Sequence, residues 1–94
     1  MQDQITALVN YAKREFPGRN VWDTRDTDRS AHNVSVAVDE GVLLLTASRE
    51  FLSDYDADTV TRFLREWGVA DALREAGPNK RLLVTRDGLQ LTTR

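Results

Sequence analysis

Two groups of acidic residues are the first places in this sequence where metal chemistry could arise. Asp23, Asp26 and Asp28 lie within the segment VWDTRDTDRSAHN, and hard cations bind several carboxylates at once. Arg25 and Arg29 lie among the same aspartates, however, and their positive charges oppose the field that a cation needs. We therefore interpret this segment as a solvated connection held by weak ion pairs, each worth about 0–1 kcal/mol.

The second acidic group is Asp54, Asp56 and Asp58. A calcium-binding EF-hand loop that begins at Asp54 needs Gly at its sixth position and an acidic residue at its twelfth. Thr59 and Arg65 occupy those positions, so the motif fails twice. Acidic side chains near a helix N-terminus accept hydrogen bonds from its free N–H groups and complement its dipole. We therefore interpret this group as the start of a helix, and we predict no metal site.

His32 is the only histidine, and a histidine base acts beside a nucleophile and an orienting carboxylate. Ser30 and Asp28 are close in sequence, but we expect His32 to be a surface residue in a loop. The chain has no cysteine, no G-x-S-x-G motif, no phosphate-binding loop and no glycine-rich dinucleotide turn. The sequence therefore predicts a protein without catalytic activity or cofactor.

Composition limits the possible partners and the compartment. The chain has 94 residues, 40% of them hydrophobic and 30% charged, which is typical of one folded domain spanning residues 1–94. No signal peptide is evident, and the longest wholly apolar run, VLLL at residues 42–45, is far too short to cross a membrane. We therefore expect a cytoplasmic protein. Its 13 basic residues are interspersed among 15 acidic ones and form no basic cluster, which disfavours nucleic acid and anionic membranes as partners.

The first predicted element is a helix over residues 3–16, with Asp3 as its N-cap. Its apolar residues recur at helical spacing and form one stripe, namely Ile5, Leu8, Val9, Ala12 and Phe16. Pro17 and Gly18 then end the helix, because proline disfavours a helical residue before it and glycine accepts a left-handed exit.

The next segment predicts strands. Val21 and Trp22 begin a short edge strand, and NVSVAVDEGVLLLTA over residues 33–47 predicts a hairpin from its alternating valines. A two-residue loop at Glu40-Gly41 would place Leu43 and Leu45 on the face of those valines. A three-residue loop would place Val42, Leu44 and Thr46 there instead. Either register leaves apolar side chains on both faces of the second strand.

A second amphipathic helix and a second hairpin follow. Val60, Phe63, Leu64 and Trp67 form a helical stripe, and we expect Trp67 in the core. Gly68 either interrupts this helix or ends it, which leaves residues 71–76 as a turn or as a separate short helix. Gly77-Pro78 is a strong helix stop.

The final segment, KRLLVTRDGLQLTT, predicts a hairpin around Asp87-Gly88. A type I′ turn there needs positive φ at both loop residues, and it pairs Val84 with Leu91 and Leu82 with Thr93.

These elements predict a two-layer α+β sandwich. An antiparallel sheet of four to five strands carries two main helices on one face, in the order α-(β)-β-β-α-β-β. This element order is similar to that of type III secretion chaperones, a likeness of topology without a shared motif.

The face of the sheet without helices is the predicted functional surface. Ala37, Leu83 and either Val42 and Leu44 or Leu43 and Leu45 project from it. An apolar sheet face on a monomer marks an interface, and an exposed Trp22 beside Arg25 would be a binding hot spot. We expect a non-enzymatic interaction module of the adaptor, chaperone or inhibitor type. Its predicted interface residues are Trp22, Ala37, Val42, Leu44 and Leu83, which would dimerise or dock a partner protein.

Residues 59–92 also allow an alternative function. Their order of helix, glycine turn, short helix and hairpin resembles the end of a winged-helix DNA-binding domain. Arg74, Lys80, Arg81 and Arg86 would then contact nucleic acid. The acidic neighbours of Arg74, at positions 71 and 75, disfavour this alternative.

Overall fold

The chain forms a five-stranded sheet that carries four helices on one face. A computed structural model describes residues 1–94. In chain order the elements are α1 (Gln2–Glu15), β1 (Val21–Asp26), β2 (Ala31–Val38), β3 (Gly41–Ser48), α2 (Arg49–Asp54), α3 (Ala57–Glu66), α4 (Val69–Ala76), β4 (Lys80–Thr85) and β5 (Gly88–Thr93). The predicted α+β two-layer fold is confirmed. None of the helices is both long and apolar enough to cross a membrane.

The strands lie in the order β1-β2-β3-β4-β5, and every pair is antiparallel except β3 with β4. The prediction of a wholly antiparallel sheet is wrong at that one pair. Parallel neighbours need a long crossover connection, and here α2, α3 and α4 together supply it. The chain therefore enters β4 from the same end of the sheet as β3.

The core lies between the sheet and the helices. Leu8, Phe51, Leu64 and Leu73 come from the four helices and are almost fully buried. The sheet contributes alternate residues of its three central strands, namely Val34, Val36, Leu43, Leu45, Ala47, Leu82 and Val84. Trp67 is only partly buried, where it stacks on Phe63 with ring centroids 4.9 Å apart at the edge of this core.

The first hairpin differs from both predicted registers. Val38 pairs with Gly41, so the two-residue loop is Asp39-Glu40. This register places Leu43 and Leu45 on the face of the valines, as the predicted two-residue loop at Glu40-Gly41 would also do. Each leucine, however, pairs with a valine two positions earlier in β2 than that loop would give. The glycine follows the turn rather than forming part of it.

The second hairpin is shifted in the same way. Val84 pairs with Leu89 and Leu82 with Leu91, so the predicted register around Asp87-Gly88 is wrong. A type I′ turn requires positive φ at Asp87, and only Gly88 has it, with φ of 116°. The loop is therefore Arg86-Asp87.

One predicted helix boundary is wrong, one helix was not predicted, and one of the alternatives left open at Gly68 is confirmed. Asp3 lies in the first turn of α1 and is not its N-cap, because α1 begins one residue earlier with Met1 at the N-cap position. Residues 49–54 form a short helix, α2, that periodicity did not reveal. Gly68 adopts a left-handed conformation with φ of 61°, so residues 69–76 are a separate helix.

The predicted cap of the main crossover helix is confirmed. The Asp56 carboxylate accepts a hydrogen bond of 2.8 Å from the Thr59 backbone N–H at the start of α3. This bond and a second from the Thr59 side chain lower the pKa of Asp56.

The acidic segment is more ordered than predicted. Residues 23–26, which we expected in a solvated connection, continue β1 as an exposed edge strand beside β2. Only residues 27–30 form a turn, and Ser30 within it has a positive φ of 49°.

Candidate interaction surface

The sheet has one face without helices, which we call the outer face. Opposed residues in neighbouring strands share a face, so the register places Trp22, Ser35, Leu44 and Arg81 in one row across four strands. None of these four side chains belongs to the core cluster beneath the helices. The outer face therefore carries all five predicted interface residues, including Ala37, Val42 and Leu83.

A hydrogen-bonded network crosses the middle of the outer face. The Thr46 hydroxyl donates to the Asn33 side-chain oxygen at 2.7 Å, and the Arg81 guanidinium donates to the Thr46 hydroxyl at 3.0 Å. The same guanidinium lies 3.7 Å from the Asp26 carboxylate of β1. We call these four residues, Asp26, Asn33, Thr46 and Arg81, the cross-strand network. It joins β1 to β4, and Thr46 at its centre is fully buried although no helix covers it.

Asp26 is the charged anchor of this network. Burial would raise the pKa of its carboxyl, but hydrogen bonds from the Arg29 backbone N–H, from Asn33 and from the Arg29 guanidinium lower it. The carboxylate is thereby held ionised opposite Arg81. Because its partners lie on two strands and one turn, the network fixes the outer face as a unit.

Apolar side chains gather at one end of the outer face. We call Trp22, Ala37, Val42 and Leu44 the outer patch. Ala37 pairs directly with Val42, and Leu44 follows Val42 on the same face. Trp22 is 39% exposed, whereas Leu44, which lies between Ser35 and Arg81 in its row, is only 8% exposed. Leu83 lies apart from the patch, on the far side of Thr46 and Arg81.

The predicted pairing of Trp22 with Arg25 is wrong. Both residues lie on β1 three positions apart, and side chains at that spacing project to opposite faces of a strand. Trp22 lies on the outer face, while Arg25 lies on the helix side opposite His32. Trp22 is therefore an aromatic residue on an open sheet face and not part of an aromatic–cation pair.

His32 is not the surface loop residue that the sequence predicted. It lies on β2, and its Nε2 atom is 2.6 Å from the Asp23 carboxylate on β1. His32 borders an open cavity of about 510 Å³, which Arg25 and Arg49 also line. Neither arginine forms an ion pair, and no group of three or more His, Asp or Glu side chains is close enough to hold a metal ion.

The four residues of the nucleic-acid alternative do not meet on one surface. Arg74 on α4 pairs with Asp71 and donates to the Glu15 carbonyl oxygen. Arg81 is part of the cross-strand network on the opposite face, and Lys80 is exposed at the start of β4.

Arg86 binds acidic residues at the end of the sheet where the second hairpin turns. Its guanidinium contacts Asp54 and Glu50, each at 2.9 Å. The hairpin of β4 and β5 is also part of the central sheet and does not project as a separate wing.

The sequence indicated the outer patch but not the cross-strand network. Asn33 and Thr46 appeared as polar residues at alternating positions, which is the signal available for an open sheet face. Their contact with Arg81 depends on the crossover that brings β4 beside β3. No protein-family model, curated protein or solved structure matches this chain.

Proposed function

We propose that this chain is a non-enzymatic, cytoplasmic protein-interaction module of the adaptor or chaperone type. It docks a different protein against the outer patch. The observation that carries this proposal is the 39% exposure of Trp22 on a sheet face that no helix covers. Large aromatic side chains are enriched among interface residues that dominate binding energy.

The surroundings of Trp22 support a docking role. Ala37 and Val42 extend the apolar surface beside it with small side chains, which admit a partner close to the strands. The cross-strand network borders the patch with polar groups that hydrogen-bond to one another. An apolar centre with a polar border is the usual arrangement of protein interfaces.

The edge of the sheet adds a second contact beside the patch. β1 pairs only with β2, so the N–H and C=O groups on its other side are free. A partner segment that lies along β1 would add main-chain hydrogen bonds to the apolar contact with Trp22. We therefore expect the partner to present an extended segment with an apolar side chain.

Capture with matched variants tests the proposal. The tagged protein, Trp22→Ala, Val42→Lys and the control Asn10→Lys are used to capture proteins from the native host, and the bound proteins are quantified by mass spectrometry. Asn10 is exposed on α1, away from the sheet. A true partner should bind the wild type and Asn10→Lys equally. It should bind Trp22→Ala at least about 30-fold more weakly, as for a hot-spot residue worth about 2 kcal/mol.

A photo-crosslinking residue at Thr24 gives a second readout, because Thr24 lies next to Trp22 on the outer face. The same partner should crosslink from Thr24 and not from Asn10. If every captured protein binds the Trp22 and Val42 variants as well as it binds the wild type, the outer patch is not a docking surface.

A further inference from the structure

The other edge strand of the sheet, β5, lacks the residues that usually prevent an edge strand from pairing with another chain. Its sequence, GLQLTT over residues 88–93, contains no charged side chain and no proline. Native edge strands usually carry charges, prolines or bulges that prevent pairing with another chain. β1 at the opposite edge has three charged residues, at positions 23, 25 and 26. β5 pairs only with β4, so one side of its backbone is free.

The helix layer ends before it reaches β5. Leu82 on β4 is only 2% exposed, whereas Leu91, its direct partner on β5, is 52% exposed on the same face. Leu89 on that face is half-buried. A free backbone edge thus runs beside two leucines, of which one is mostly in solvent.

We propose that β5 pairs with β5 of a second copy of this chain. The two strands run antiparallel about a twofold axis perpendicular to the sheet, and the product is a continuous ten-stranded sheet. With Gln90 opposite Gln90 of the partner subunit, Leu89 of each copy lies opposite Leu91 of the other. Each exposed leucine thereby gains an apolar neighbour across the interface, as directly opposed cross-strand residues do.

Self-complementarity is the reason why the occupant is a second copy. This register opposes leucine to leucine, glutamine to glutamine and glycine to threonine. Asp87, in the exposed turn, lies opposite Thr93 at the end of the strand, so no charge is buried within the paired strands. Arg86 and Arg94 approach each other just beyond the strand ends, but each is already bound within its own subunit. Arg86 binds Asp54 and Glu50. Arg94 donates to the carbonyl oxygens of Val42 and Pro78.

Closure also favours this pairing over the pairing of β5 with β1 of another copy. A β5-to-β1 contact would be heterologous, and it would leave an open edge at each end for further addition. The β5-to-β5 contact is isologous and closes after two copies. Only the charged β1 edges then remain open.

The dimer would place both outer faces on the same side of the ten-stranded sheet. The two Trp22 side chains would lie on the outermost strands, nine strand spacings apart, which is about 43 Å. The module would then be able to hold two partner segments, or two sites of one partner. That bivalency rests on the proposed docking function, whereas the dimer itself does not.

A disulfide test is specific for the proposed register, because the chain has no cysteine of its own. Gln90→Cys places two thiols opposite each other across the twofold axis, within the Cα separation that a disulfide spans. Thr92→Cys, on the same face of the same strand, lies opposite position 88 and is the matched control. Under mild oxidation, Gln90→Cys should form a disulfide dimer at least about tenfold faster than Thr92→Cys. Equal rates, or no dimer from either variant, would overturn the pairing.

Sedimentation measured over a range of concentrations tests the dimer without cysteines. The wild type and the surface control Thr6→Lys should show a dimer, while Leu91→Lys should weaken association at least tenfold. Because the Leu91 side chain is mostly exposed, we expect Leu91→Lys to fold, and circular dichroism checks this. A wild-type monomer at about 1 mM, where even a weak dimer forms, would refute the proposal. Trp22→Ala should keep the dimer, so the failure of one proposal is distinct from the failure of the other.

Discussion

Replacing Tyr11 with phenylalanine removes one oxygen atom that serves two helices at once. The Tyr11 hydroxyl donates to the Leu64 carbonyl oxygen at 3.2 Å and accepts from the Ala70 N–H at 3.0 Å. Leu64 lies in the last turn of α3 and Ala70 in the first turn of α4, where helices leave carbonyl and N–H groups unpaired. Gly68 between them supplies no side-chain cap for α4. The hydroxyl of Tyr11, a residue only 3% exposed, therefore supplies a hydrogen-bond partner to the C-terminal end of α3 and to the N-terminal end of α4.

The magnitude follows from two buried groups that lose their partner. A hydrogen bond contributes about 0.5–1.5 kcal/mol net, and a buried group left without a partner costs about 1–3 kcal/mol. We expect Tyr11→Phe to lower the free energy of unfolding by about 2 kcal/mol. For a domain of this size, that corresponds to a decrease in Tm of about 8–16 °C.

Urea unfolding followed by tryptophan fluorescence measures this loss. Tyr55→Phe is the matched control, because Tyr55 is half-buried and its hydroxyl has no hydrogen-bond partner. It should change the free energy of unfolding by less than about 0.5 kcal/mol. Hydrogen exchange should also show faster exchange at the Ala70 N–H in Tyr11→Phe. A loss below about 0.5 kcal/mol for Tyr11→Phe would refute the capping argument.

The same residue predicts an alkaline effect. Burial raises the pKa of Tyr11 above its ordinary value of 10.0, although the hydrogen bond from Ala70 partly opposes this. The unfolded chain therefore releases the proton first, so stability is retained below pH 10 and falls as the pH rises above it. Tyr11→Phe should lack this part of the alkaline loss.

Three further predictions concern single residues. Gly41→Ala should destabilise the protein more than Gly88→Ala, as paired thermal melts would measure. Both glycines have positive φ, but only at Gly41 would an added Cβ meet a close neighbour, Pro78 Cβ at 3.1 Å. Thr46→Val should cost about 1–3 kcal/mol in urea unfolding, since it removes a fully buried hydroxyl from two hydrogen bonds. Asp56→Asn should reduce the loss of stability below pH 3.8, as acid titration followed by circular dichroism would measure. The pKa of Asp56 is lowered in the folded state, so the stability that its carboxylate contributes is lost as the pH falls and the group is protonated.

Periodicity was sufficient to predict the layers of this fold but not its register. Alternating valines and leucines specify which residues share a face, and a shift of two positions leaves that assignment unchanged. The second hairpin was therefore assigned to the correct faces with incorrect partners, and the first matches the faces of one of its two predicted registers, also with different partners. In each, the glycine follows the turn with positive φ, as Gly41 and Gly88 show.

Contacts distant in sequence were beyond prediction because they depend on the crossover. Arg81 contacts Thr46 across 35 positions, and Tyr11 contacts Ala70 across 59. Tyr11 gave no signal of its capping role, since it lies beside the apolar stripe of α1. Its hydroxyl becomes a cap only when α1 packs on the junction of α3 and α4.

The outer face is less apolar than the sequence pattern suggested, and this limits how it can bind. Leu44 is covered and Leu83 is separated from the outer patch, so Trp22 and two small neighbours provide most of the accessible apolar surface. That area is well below the roughly 1,600 Å² of a standard stable interface. Docking at the patch alone should therefore be weak and transient, and stable binding requires added contacts along β1. Asp23→Pro and the matched control Asp23→Ala test the point. The Ala37 N–H donates to the Asn20 carbonyl oxygen, so by alternation along β1 the N–H of Asp23 faces away from β2. If backbone pairing contributes, Asp23→Pro should weaken capture, while Asp23→Ala, which keeps the N–H, should not.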